Sequence, residues 1–263
     1  MRLHKYHGLG NDFLVLLDVE ESRPVDAALA VAVCDRHRGV GADGLIRVTP
    51  GRDGADLAME LRNADGGRAE TSGNGLRCLV RAAVDAGLVT GDTVVVATDA
   101  GNRRATLHPD GQVSVEMGAL RLVDGAEGAP HAGRAEASWS GFVDAGNPHA
   151  VIGLDSLDAL AATDLETDGR AWDRTSGGIN VEYVVAGPAP DGLTMRVWER
   201  GVGETMACGS GACAAAVVAR RAGLVGDRVT VHQPGGDLAV ELSADDSVVL
   251  TGPAEFICTV DLP

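Results

Sequence analysis

Two stretches of the chain pass without transition from a polar, glycine-rich turn into an apolar helical pattern. The first, AETSGNGLRCLVRAAVDAGLV, runs from Ala69 to Val89, and the second begins at Cys208 as CGSGACAAAVVARRAGLV. Each predicts a helix whose first N–H groups are unpaired, with a small polar side chain, Ser72 or Cys208, at its start. Ser72 alone reads as a helix cap, because a serine there accepts a hydrogen bond from an N–H two or three residues on. Gly87 and Gly223 follow the apolar runs as expected C-caps. TVVVAT and RVTVH have the β-branched density of strands, and the alternating QVSVEM and SVVLTG predict further strands after turns at Asp110-Gly111 and Asp245-Asp246.

The two patterns are copies of one another. A shift of 136 positions lays SGNGLRCLVRAAVDAGLV on CGSGACAAAVVARRAGLV without gaps, Gly10-Asn11 on Gly146-Asn147, and Met59 of MELRNADG on Met195 of MRVWERGV. With one residue of slippage GDTVVV from Gly91 meets GDRVTV from Gly226, and DRHRGVG from Asp35 is echoed two residues out of register by DRTSGGI from Asp173. Such matches in one order imply two homologous halves. The expected fold class is α+β: two homologous domains, each a mixed β-sheet wrapped around a central helix. Their expected limits are 1–118 and 119–255, with the C-terminal strand 256–263 a candidate to complete the first. The Gly- and Ala-rich stretch from Arg121 to Trp139 reads as the linker region. The duplication predicts that the two glycine turns face each other across an interdomain cleft that holds the active site, with Ser72 opposite Cys208.

Charge and cysteine usage narrow the functional classes. The 22 Lys and Arg against 38 Asp and Glu give a formal net charge of −16, whereas a nucleic acid or an anionic membrane calls for a basic footprint. No apolar segment approaches the ~18 to 20 residues of a membrane span, and no N-terminal stretch joins a basic start to a long apolar run, so a cytoplasmic protein is expected. Cys34, Cys78, Cys208, Cys213 and Cys258 fit neither a disulfide scaffold nor a zinc site of paired CxxC spacing, and no metal is expected. Walker A and HExxH patterns are absent, and GLGNDF is not a GxGxxG fingerprint, so no cofactor is expected either.

Cys208, in ETMACGSGAC, is expected to have its pKa lowered by the helix dipole and by free N–H donors, with Glu199 and His149 as groups that tune it. Two acid/base groups on opposite faces of one carbon are what inversion of a stereocentre requires. The amides of Gly73-Asn74 and Gly209-Ser210 are placed to hold a substrate carboxylate and the charge that spreads onto it.

HGLGNDF, RGVGADGL, RNADG, GNGLRC, GNPHAV, Ile179-Asn180 and ERGVGETMACGSGACA follow one another across essentially the whole chain. Together they resemble the diaminopimelate epimerase family. The resemblance implies cofactor-independent, two-base epimerisation of LL-diaminopimelate to the meso form, in lysine and peptidoglycan precursor biosynthesis, by a homodimer of two-domain subunits. It puts Asn11, Asn63, Asn147 and Asn180 among the substrate-binding asparagines and Glu199-Arg200 on a Glu-Arg pair. It also puts His149 and Glu199 on residues that set active-site pKa values, and Cys208 on one of two catalytic cysteines. Arg200 suits a carboxylate through two parallel hydrogen bonds, and side-chain amides serve a zwitterion without adding net charge.

The departure is Ser72, which stands where the family has its second catalytic cysteine. It is a working replacement, a natural loss of function or an introduced substitution. A thiol ionises near 8.5 and an alcohol nearer to water, at about 15.7, so forming the alkoxide costs on the order of 10 kcal/mol more. Helix-terminus effects of up to ~2 kcal/mol do not close that gap. Cys78 is no stand-in, since it lies roughly 9 Å further along the helix axis. Two other readings stay open: a related amino-acid racemase or hydroxyproline-type dehydratase, whose superfamily tolerates Ser or Thr opposite Cys, and a catalytically impaired diaminopimelate-binding homologue. The Asn set and ERG favour a substrate with a second zwitterionic end, which proline-type substrates lack.

Overall fold

Strands form where aliphatic residues alternate with polar ones or run together. The computed structural model describes residues 1–70, 72–123, 137–176, 178–245 and 247–262. The chain divides into two compact units, Met1–Glu116 with Thr251–Pro263, and Met117–Leu250. In the first, β1 (Arg2–Gly8) and β2 (Asn11–Leu17) pair antiparallel, α1 (Ala27–Cys34) follows, and β3 (Gly44–Pro50) lies parallel to β2. β4 (Leu57–Asn63) runs antiparallel to β3 and carries the short β5 (Arg68–Ala69). After α2 (Gly73–Asp85), β6 (Thr93–Thr98) is parallel to β4, and β7 (Gly101–Leu107) and β8 (Gln112–Ala119) complete the meander.

The second unit repeats this plan. β9 (Arg121–Val123) pairs with β10 (Trp139–Asp144), and β10 pairs antiparallel with β11 (Pro148–Leu154). Past α3 (Leu157–Ala162) and α4 (Leu165–Ser176), β12 (Asn180–Ala186) is parallel to β11 and antiparallel to β13 (Gly192–Glu199), which carries β14 (Gly203–Thr205). α5 (Gly209–Arg221) leads to β15 (Arg228–Gln233), parallel to β13, then to β16 (Gly236–Leu242) and β17 (Ser247–Pro253). β18 (Glu255–Asp261) pairs with β1 inside the first unit. Even the register is duplicated: Phe13 opposite Gly44 and Leu45 opposite Arg62 recur, 136 positions on, as His149 opposite Asn180 and Val181 opposite Trp198. The α+β class and the two homologous halves are thus as expected.

Each unit wraps its sheet around one helix. α2 packs on β1, β2, β3 and β7, and α5 on β10, β11, β12, β13, β15 and β16. A helix covered on all sides must be apolar all round, and α5 achieves this with small residues, burying Gly209, Gly211 and every position from Ala212 to Ala219. Both helices end as predicted. Gly87 and Gly223 take φ of +70° and +73°, and the following N–H groups of Leu88 and Leu224 reach back to the carbonyls of Ala83 and Ala219. The turn before β8 places Gly111 at φ +87°. Asp246 of the predicted turn at Asp245-Asp246 and residues 124–136 of the linker region lie outside the described residues. Among the described residues no helix is long and apolar enough to cross a membrane.

Helices α1, α3 and α4 are additions that the sequence pattern did not announce. α4 brings Trp172 and Leu165 into a core with Leu154, Leu160, Tyr183 and Trp198. Gly169 of that helix lies flat against the Trp198 indole, where any Cβ would overlap the ring. Gly169→Ala is therefore expected to destabilise the protein by about 1–3 kcal/mol despite its better helix propensity, read as a lower urea midpoint at unchanged slope.

Candidate active site

Buried helix starts must find partners for their first N–H groups. In α2 the Ser72 hydroxyl accepts from the Gly75 N–H at 3.0 Å, so the capping role read from the sequence is real. In α5 the Cys208 sulfur does the same for Gly211 at 3.4 Å. Beneath the second glycine of each turn lies one strand residue. A Cβ on Gly75 would sit 3.3 Å from Ile46 Cδ1, and one on Gly211 would sit 2.6 Å from Glu182 Oε1.

Around Cys208 the second unit gathers an acid/base cluster. Cys208 is 5% exposed, its N–H donates to Gln233 Oε1 at 2.8 Å, and its sulfur lies 3.6 Å from Ser210 Oγ. Gly209 is buried at the helix start. His149 and Glu182 are fully buried and joined by a 2.7 Å hydrogen bond from Nδ1 to Oε1, while His149 Nε2 lies 3.0 Å from Asn147 Oδ1. Glu199 accepts from Thr205 Oγ1 at 2.5 Å. Asn180 is committed to the backbone, donating to the Pro148 carbonyl at 3.2 Å and accepting from the Arg200 N–H at 3.0 Å. Arg200 is exposed, and its stem covers Gly178, which has φ +93°.

One expectation is corrected. Burial, followed by the nearby carboxylates of Glu199 and Glu182, pushes the Cys208 thiol well above the ordinary cysteine range. The hydrogen bonds from Ser210 and the Gly211 N–H favour the thiolate but are the smaller effects. The helix terminus is there, yet its field is outweighed by desolvation and two acids.

The first unit assembles a different set. Asn74 Nδ2 donates to Asn11 Oδ1 at 3.1 Å, and Asn11 Nδ2 donates to Asp43 Oδ2 at 2.8 Å. Arg77, fully buried, donates to Asn74 Oδ1 at 2.8 Å and to the Pro253 carbonyl at 3.1 Å. Arg36 bridges Asp12 and Asp43, and Lys5 lies 2.9 Å from Asp12. Burial works against the Asp12 charge, but the hydrogen bonds from Arg36 and Lys5 outweigh it and hold that carboxyl below its usual range. Gly73 is buried in the first turn of α2, and Asn63 closes β4 with its N–H on the Gly67 carbonyl. Cys78 is fully buried, and burial pushes its thiol up to about 12.

Sequence reasoning therefore passed over Glu182, Gln233, Arg77 and the Asp12-Asp43-Arg36 group. Glu182 carried a signal, as the lone acid in the apolar run VEYVV, and Arg77 another, as a cation inside an apolar helical pattern. Gln233 carried none. Among the described residues no three His, Cys, Asp or Glu side chains come together as a metal site.

A family model described as diaminopimelate epimerase matches residues 3–123 and 141–257. The diaminopimelate epimerase of Pelotomaculum thermopropionicum is 40% identical over 290 residues, spanning 100% of this chain and 99% of that protein. The Synechocystis protein of the same name is 40% identical over 96% of this chain and 95% of its own. Among solved structures, a Bacillus anthracis phenazine biosynthesis protein of the PhzF family superposes with a TM-score of 0.78 at 14% identity, over 100% of this chain and 99% of that one. A hydroxyproline epimerase from Agrobacterium vitis does so with a TM-score of 0.67 at 18% identity, over 99% and 91%. At these identities the structures share the fold alone.

The raised thiol predicts that Cys208 alkylates slowly at neutral pH. Its labelling rate with iodoacetamide, followed by peptide mass, should keep climbing beyond about pH 10, where a free cysteine of pKa near 8.5 has levelled off.

Proposed function

The chain belongs to the diaminopimelate epimerase family, and on that premise we propose that its own residues exchange the α-proton of diaminopimelate from two helix starts. The observation that supports this most is the equivalence of Ser72 and Cys208: each caps the one central helix of its unit, at the same place in a duplicated fold. Epimerisation asks for one group to take the α-hydrogen as another delivers a proton to the opposite face. The negative charge of the intermediate spreads onto the α-carboxylate, which the N–H groups of Gly73-Asn74 and Gly209-Ser210 suit. Asn11, Asn63, Asn147, Asn180, Glu199 and Arg200 are assigned to the ammonium and carboxylate groups of the substrate, and His149 and Glu199 to tuning of Cys208. The reading includes a homodimer and no cofactor, both implied by the family resemblance, and a cytoplasmic location.

Ser72 makes the two directions unequal. A hydroxyl delivers a proton to a carbanion readily, but taking one requires an alkoxide on the order of 10 kcal/mol less accessible than a thiolate. In heavy water, one isomer should exchange its α-hydrogen at least tenfold faster than the other, and Ser72→Cys should raise epimerisation by orders of magnitude. A folded Ser72→Cys protein no faster than its parent would show that this side chain does not limit the reaction. Arg200→Lys should weaken binding of diaminopimelate more than that of alanine, since a point ammonium does not reproduce the guanidinium fork. Equal losses in competition assays would remove Arg200 from the distal end.

A further inference from the structure

The duplicated register sets Glu182 against Ile46 and His149 against Phe13. At the start of α2 the strand residue under the turn is thus aliphatic, and at the start of α5 it is a carboxylate with an imidazole behind it. An acid buried in the middle of β12, opposite Val151 and Val197, is costly to desolvate unless something offsets it. His149 is one partner. Glu182 Oε2 nevertheless has no hydrogen-bond partner among the described residues.

We propose that Glu182 is a positioning residue for Cys208: hydrogen-bonded to His149 beneath the Gly211 turn, its carboxylate governs proton transfer at the thiol and, through the imidazole, orients the Asn147 amide. This rests on the reading that Cys208 exchanges protons with substrate. Glu182 touches the turn at Gly211, whose N–H donates to the Cys208 sulfur, so the carboxylate and the thiol share one wall. Every element packed on Cys208 contributes to its proton balance. Glu182 from β12 and Glu199 from β13 oppose the thiolate, while Ser210 and the Gly211 N–H from α5 favour it. Gln233 from β15 holds the Cys208 N–H, and His149 from β11 is hydrogen-bonded to Glu182.

Glu182→Gln keeps the shape, offers His149 an amide and deletes the acid. The pH midpoint of Cys208 alkylation should fall by about one unit, giving roughly tenfold faster labelling at pH 7.5. Cys213, fully buried, serves as an unreactive internal control on the same helix. With diaminopimelate, kcat for α-hydrogen exchange should drop at least tenfold with KM within about twofold. Glu182→Asp, which restores the charge, should return the midpoint to near the parent value. An unchanged or raised midpoint in folded Glu182→Gln overturns the proposal, as does a Glu182→Asp midpoint as low as that of an ordinary cysteine. The second variant decides alone if the first does not fold. Alkylation needs no substrate, so this result is independent of the substrate reading, which fails separately if Cys208→Ala exchanges at the parent rate.

Discussion

A helix buried on every side cannot leave its first N–H groups without partners, and the rest of the site follows from that requirement. The atom that satisfies Gly75 is the Ser72 oxygen, and the atom that satisfies Gly211 is the Cys208 sulfur. The same two atoms are the ones a proton-transfer reaction would use. On the proposed reading structural and chemical roles coincide at these positions, so a substitution there alters helix capping and reactivity together.

On this shared frame the two halves have diverged in polarity around their central helices. The helix ends and the register of β2, β3 and β4 recur in α5 and in β11, β12 and β13, but His149 and Glu182 stand in the second unit where Phe13 and Ile46 stand in the first. The charge in the first unit comes from another side: Arg77 inside α2 and Arg36 and Lys5 against Asp12. Where one helix start is flanked by acids, the other has a guanidinium one turn away.

Much of this was legible in the sequence because it is local or repeated. The internal repeat located both helices, both terminal glycines and the equivalence of Ser72 with Cys208. The other helices escaped for identifiable reasons. Ala27–Cys34 is a continuous apolar run without helical alternation, Leu157–Ala162 is under two turns long, and Leu165–Ser176 carries a glycine at its centre. The Cys208 thiol is shifted in the direction opposite to that expected because the helix dipole is visible in sequence, whereas the burial of the thiol and the approach of the Glu199 and Glu182 carboxylates come only with the pairing of β11, β12 and β13. Asn180 was legible as polar and well placed, but its anchorage to Pro148 and Arg200 depends on that same pairing.

The two amides of Asn11 and Asn74 lie in series between a guanidinium and a carboxylate. Each amide has one oxygen end and one nitrogen end. Reversing either would press an NH2 against the Arg77 guanidinium or a carbonyl against the Asp43 carboxylate, and would break the bond between the amides as well. The series thus has a sense of direction, like a row of compass needles between two fixed magnets. No rotational search among amide orientations is left for an incoming molecule to resolve, and the entropy of that choice has already been spent in folding.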